Sequence, residues 1–450
     1  MMTAIDGAGG ITGAFTRLLA GLGTAAIDEE AATVARQCLL DWIGVSLAGR
    51  HEPLVDILVE TAREEGGGGH LPLPGRPETL PLTQAVTVTG AMSHALDYDD
   101  VHLAMQGHPS VAVIPAAWAL ALAEGRDGGA LIRAIVGGFE IACRTGLLMG
   151  PSHYARGWHA TGTVGSFGAM AASALLLGLD EHRIAHGFGI AGTQAAGLKA
   201  VFGTMSKPLH AGRAAANGLT AARLAARGFT SHPDILGASQ GFGDTQSDGL
   251  NPAAALAPAP GFMIRDTLFK YHAACYLTHS AIEAVHSLGR IDPDTVRRVT
   301  VRVDPGHLRV CNIPAPATGL EMKFSLRMTA ALALAGEDTA REALFADATA
   351  ARPDLVRLRD AVTVEPRTAP SSTLSEIEVE LADGATCRAA FDVGVPAADL
   401  DRQWQRLSAK FLGLARPVLG EARSREVLGR VRELDACTDL GPLARLLTAS

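Results

Sequence analysis

Residues 160–179 read Ala-Thr-Gly-Thr-Val-Gly-Ser-Phe-Gly-Ala-Met-Ala-Ala-Ser-Ala-Leu-Leu-Leu-Gly-Leu, twenty positions without a formal charge. That is long enough to span a bilayer. The composition argues otherwise. Only residues 171–177 are strongly apolar, the rest is mostly Gly, Ala, Ser and Thr, and Asp180 and Glu181 follow with neither aromatic belt nor basic flank. The segment is expected to be a central helix buried on all sides by other helices.

Its surroundings support that reading. Residues 29–47, 83–96, 111–124, 130–148, 183–198 and 208–227 are Ala-rich, carry apolar residues at helical spacing, and are bounded by Gly, Pro or Asp. Residues 65–70 form a glycine loop between two of them. Gly187-Phe-Gly189-Ile-Ala-Gly192 satisfies GxGxxG, but no strand precedes it, so these glycines read as helix-packing positions.

The pattern changes near residue 265. Residues 299–303 and 375–381 alternate, Asp383-Gly384 makes a turn, and residues 386–391 return as the second strand of a hairpin. Helical stretches at 271–288, 323–334 and 340–345 intervene, and residues 399–432 return to charged amphipathic helix. The expected fold is mainly α: a large all-α helical domain with an inserted smaller α+β lid domain. The boundaries are 1–265, 266–397 for the lid, and 398–450 for the helices that return.

The 450 residues include 48% apolar and 19% charged residues, enough for a substantial core. A net charge of −8 argues against a nucleic-acid partner. Any anionic ligand must be held by a few local cations. Six cysteines are scattered without a CxxC pair, which disfavours a zinc ribbon and fits a reducing cytoplasm. Residues 1–16 lack the apolar stretch of a secretory signal. No membrane partner is expected.

Four clusters can carry chemistry. The densest is His94-Ala-Leu-Asp97-Tyr-Asp99-Asp100-Val-His102, followed by His108-Pro-Ser, on a loop between two core helices. Carboxylates and imidazoles so placed can exchange protons. No HExxH or EF-hand spacing is present, so no metal is expected. The second is Tyr154-Ala-Arg156-Gly-Trp-His159-Ala-Thr-Gly-Thr163. There His159 opens the buried helix, where backbone N–H groups favour anions, and Arg156 can grip a carboxylate. The third is Met205-Ser-Lys207-Pro-Leu-His210-Ala-Gly-Arg213. A lysine at a helix start opposes the dipole unless an anion sits there. The fourth is Phe269-Lys270-Tyr-His272-Ala-Ala-Cys275-Tyr-Leu-Thr-His279, at the change of pattern. Asp97, His108, His159 and Lys207 are the candidate catalytic residues. Arg156, His102, His210, Lys270, Cys275 and His279 are candidate substrate contacts.

As a set, these motifs resemble the MmgE/PrpD family. The pieces that match are residues 39–49, 94–100, 108–110, 157–163, 207–212 and 228–230, in family order, with looser matches at 269–271 and 323–325. The family includes 2-methylcitrate dehydratase, cis-aconitate decarboxylase and iminodisuccinate epimerase. The resemblance implies a helical domain with an α+β lid, a homodimer, no metal or organic cofactor, and a small polycarboxylate as substrate. It places the family's cleft residues at Asp97, His108, His159 and Lys207, and a further lid-side histidine near Cys275 or His279. A threonine of the decarboxylase falls on Val101 here. The expected activity is therefore a hydro-lyase reaction of the 2-methylcitrate dehydratase type. Epimerisation of an imino- or amino-dicarboxylate is the alternative, and decarboxylation comes after it.

Overall fold

The computed structural model describes residues 10–66, 68–368 and 371–448. Residues 1–9 of the N-terminal stretch, and Gly67 of the glycine loop, lie outside these. The backbone divides into two compact units. Leu268–Ala397 forms one, and the residues before and after it form the other.

In the first unit the helix Ala160–Leu177 is 89% buried and packs against Pro109–Ala123, Gly128–Ala155 and Ser206–Ala226. Small residues permit this crowding. A Cβ on Gly218 would stand 2.4 Å from the Met170 nitrogen and 2.6 Å from the Ser166 carbonyl. The helix's own hydroxyls are satisfied internally: Ser166 Oγ donates to Gly162 O at 2.9 Å and Ser173 Oγ to Ala169 O at 2.8 Å. Nearer its start, Thr163 Oγ1 reaches a neighbouring helix, 2.7 Å from His153 Nε2.

The GxGxxG segment lies within the helix Glu181–Gln194, and its glycines face Met170, His232 and Ile235 closely. That helix stops at Gln194, where residues 183–198 were expected to continue it; Ala195 is already extended. The helix at 130–148 instead runs on to Ala155, across a kink at Gly150 (φ 63) just before Pro151. Helices Ile11–Leu22 and Pro53–Glu64, and a short bridge pairing Leu71–Pro72 with Thr79–Leu80, went unread in the sequence.

The helix Leu400–Arg432 belongs to the same unit and packs on Glu29–Gly49. Lys410 on it is buried, lies 2.6 Å from Asp41 Oδ1, and donates to the Tyr98 carbonyl at 2.7 Å. A residue near the end of the chain thus holds the loop that follows His94.

The second unit is a four-stranded sheet with helices Tyr276–Ser287 and Leu326–Leu334 packed on it. The strand order is Val362–Pro366, Val296–Val303, Leu374–Leu381, Thr386–Asp392. The hairpin forms where the alternation placed it, with Val379 opposite Cys387 and Gly384 in the turn at φ 86. Ile377 and Val379 face the core, while Glu378 meets Arg302 and Arg388. The strand Val362–Pro366 pairs in parallel with Val296–Val303 and was not foreseen. Residues 340–345 make only a 3₁₀ turn, Glu342–Leu344. The helix expected from 271 begins at Tyr276.

Candidate active site

Three helix N-termini of the first unit each carry a candidate residue. His108 immediately precedes Pro109–Ala123, His159 immediately precedes Ala160–Leu177, and Lys207 sits in the first turn of Ser206–Ala226. The loop after His94 threads between them. The His108 N–H donates to Thr161 Oγ1 at 3.2 Å, which ties two of the helix starts together.

Asp97 adopts φ 51, a left-handed conformation that aspartate tolerates better than most residues. There its Oδ1 lies 3.0 Å from Lys207 Nζ and 3.8 Å from His108 Nε2. The Lys207 ammonium also stands 5.6 Å from the centre of the Phe202 ring. Asp97 and Lys207 remain partly open to solvent, so a ligand can reach them.

Behind them lies a fully buried carboxylate. Asp99 Oδ1 accepts from His94 Nδ1 at 2.9 Å, and Oδ2 lies 2.9 Å from His108 Nδ1, which also meets the Asp100 carbonyl at 2.8 Å. Burial works to raise the Asp99 carboxyl, but the two imidazoles prevail and hold it well below the usual range, so it is ionised. Burial lowers His94 to about 4 against the pull of Asp99. Asp100 serves the backbone: its carboxylate accepts from the Ser110 N–H at 3.2 Å and from the Ser110 hydroxyl. Burial pushes Asp100 up to about 7; the Ser110 bonds oppose this, and the charges of Asp41 and Asp99 add to it.

A second imidazole pair faces the first. His159 Nδ1 lies 3.0 Å from His210 Nδ1, and the His159 ring stands 6.1 Å from that of His94 and 4.9 Å from that of Phe202. Burial, then the neighbouring His94, His108, Lys207 and His210, keeps His159 far below its ordinary value, so the ring is neutral. The structure places His210, read as a substrate contact, against His159.

Two other expected contacts have partners outside the imidazole cluster. His102 spends both ring nitrogens on the backbone: Nδ1 accepts from the Ala104 N–H at 3.2 Å, which leaves Nε2–H to donate to Met263 O at 2.8 Å. It is a strut of the loop. Arg156 closes the helix Gly128–Ala155 and pairs with Asp248 at 3.3 Å, with much of its side chain in solvent. Its contacts do not include the imidazole cluster.

Lys270, Cys275 and His279 belong to the second unit. Lys270 is buried. Cys275 caps Tyr276–Ser287, and its thiol neighbours that of Cys311. His279 is fully buried beside His272, its Nε2 3.2 Å from the Ala274 carbonyl; burial, with His272 and Lys270, lowers it well below the usual range.

Among the described residues, two groups of side chains lie close enough to touch a common cation. In His94, Asp97, Asp99 and His108, the Lys207 ammonium already sits against Asp97. In His272, Glu283 and His286, His272 uses Nδ1 on Thr339 at 2.7 Å and Nε2 on Glu283 at 3.2 Å, so the group is held by its own hydrogen bonds.

The MmgE/PrpD N-terminal domain matches residues 13–254, and the MmgE/PrpD C-terminal domain matches residues 272–435. Among curated relatives, cis-aconitate decarboxylase of Homo sapiens is 27% identical over 97% of this chain and 94% of the human protein. Cis-aconitate decarboxylase of Aspergillus terreus is 27% identical over 97% of this chain and 96% of the fungal one. With both domains present in order and relatives matched along nearly the whole length, the chain belongs to the MmgE/PrpD family.

Proposed function

We propose that the chain is a cofactor-independent lyase that acts on a small polycarboxylate by moving a proton next to a carboxylate. The observation that carries this reading is the convergence of the Lys207 ammonium, His108 and His159 at the starts of three helices. Helix N-termini and an ammonium favour bound carboxylates and the negative charge that develops on the adjacent carbon. The two imidazoles, on separate helices and with separate partners, supply proton transfer at two points.

Decarboxylation of an unsaturated tricarboxylate is the first reaction to test, because relatives named for it match nearly the whole chain. In that reaction the bond to one carboxylate breaks, carbon dioxide leaves, the electron pair stays on carbon, and an imidazole N–H delivers a proton there. Dehydration of a hydroxy-tricarboxylate is the second reading, favoured by the two distinct imidazole pairs. One takes the C–H proton, the other protonates the departing hydroxyl, and water leaves. The proposal also includes a homodimer, which sedimentation velocity tests.

The deciding experiment incubates the protein in D2O with cis-aconitate, citrate or 2-methylcitrate and follows products by NMR. Loss of carbon dioxide with deuterium at the new C–H position establishes decarboxylation. A new olefin signal from a hydroxy acid establishes dehydration. No turnover of any of the three by the folded protein rejects both readings.

A further inference from the structure

Asp97, a candidate catalytic residue of the sequence, lies 3.0 Å from Lys207 Nζ and 3.8 Å from His108 Nε2. The carboxylate placed behind His108 is Asp99. It is 1% exposed, and its two oxygens meet two different rings, His94 Nδ1 and His108 Nδ1, each at 2.9 Å. An ionised carboxylate only accepts hydrogen bonds, so His94 Nδ1 faces it as an N–H donor; Oδ2 makes no aligned hydrogen bond with His108 Nδ1, but its charge 2.9 Å away favours an N–H there. The Asp100 carbonyl, 2.8 Å from the same His108 nitrogen, makes the same demand. His108 Nε2 then carries the lone pair, on the side of Asp97 and Lys207.

We propose that Asp99 is a positioning residue that acts through His108: it fixes the ring with Nδ1–H turned inward and Nε2 bare toward the ligand. This rests on the reading of the site as one of proton transfer. The groups around His108 fit the assignment. Asp97 and Lys207 neutralise each other on the open side, and His94 and His159 stand beside the ring as neighbouring imidazoles. Asp99 also locks the buried His94 at Nδ1, and the His94 ring stacks toward His159, so one carboxylate orients the ring between the two imidazole pairs.

The test separates this proposal from the assignment of the reaction. Protein labelled with 15N-histidine is examined by long-range 1H–15N NMR at neutral pH, with His108→Asn and His94→Asn spectra for assignment. This part needs no substrate. The expected result is that both rings carry the proton on Nδ1. A wild-type His108 protonated on Nε2 overturns the proposal, whatever reaction the enzyme performs. Asp99→Asn is the second arm. An amide carries no charge and offers one accepting and one donating edge, so either His94 loses its fixed tautomer or His108 loses the charge that favours Nδ1–H. With the substrate found above, kcat is expected to fall on the order of 100-fold while KM stays within about threefold. An Asp99→Asn protein in which both tautomers and kcat match wild type overturns it.

Discussion

The Lys207 ammonium lies 3.0 Å from Oδ1 of an aspartate held at φ 51, so the Asp97 side chain is aimed by an unusual backbone as much as by its charge. The pair is only partly buried, and its weight is electrostatic and local. Lys207→Ala is expected to lower kcat/KM by at least about 100-fold. Melting temperature should move by no more than about 2 °C. Steady-state kinetics and a thermal melt check both, and turnover near the wild-type level would remove Lys207 from the site.

The second prediction concerns the buried Lys410–Asp41 pair. Both side chains are within 3% of full burial. Lys410→Met leaves the Asp41 carboxylate without its cation and frees the Tyr98 carbonyl. The expected loss is about 3–5 kcal/mol of unfolding free energy in urea. The double variant Asp41→Leu with Lys410→Met should recover a large part of that, since the uncompensated charge is gone. Equal loss in both proteins would show that the charge is not the cause.

A third prediction concerns pH. The folded Asp100 carboxyl is raised to about 7, so its contribution to stability is fully present below the unfolded carboxylate value and is lost as pH rises through 7. Asp100→Asn does not ionise. The stability of Asp100→Asn relative to wild type should therefore increase between pH 4 and pH 7.5, by on the order of 1–4 kcal/mol. His94, lowered to about 4, acts in the opposite sense: its burial costs stability as pH falls from about 6.5 toward 4, where the unfolded ring takes up a proton. Chemical denaturation of both proteins at several pH values tests this; a constant difference would mean that Asp100 does not titrate in that window.

Glycines supply the fourth. Gly218 has no room for a methyl group against the helix Ala160–Leu177, whereas a Cβ on Gly413 would meet nothing within 4 Å. Gly218→Ala should cost about 1–3 kcal/mol through overpacking. Gly413→Ala, on the exposed face of the helix Leu400–Arg432, should add about 0.5–1 kcal/mol. Similar changes of the same sign for both would contradict the packing described.

The central helix was legible because a long uncharged run of small residues has few uses other than close helix packing. The hairpin was legible because alternation and Asp383-Gly384 are local signals. The strand Val362–Pro366 was not: its parallel partner lies some sixty positions earlier, and five residues of mixed burial leave no clear period. His108, His159 and Lys207 could be picked out because each stands where a helix begins. Asp97 and Asp99 could not be told apart in role, since a loop has no period and the left-handed turn at Asp97 sends neighbouring carboxylates in different directions. The partner of Arg156 was not legible, because Asp248 is 92 residues away in the chain.

The bond from Lys410 to the Tyr98 carbonyl has a consequence for biosynthesis. A ribosome delivers the loop after His94 some three hundred codons before the lysine that holds it. The early helices can collapse on one another while translation continues, but the loop lacks this last tether until the helix Leu400–Arg432 has emerged and docked. A nascent chain stalled within the sheet unit would thus hold a nearly complete helical core around an unfinished loop.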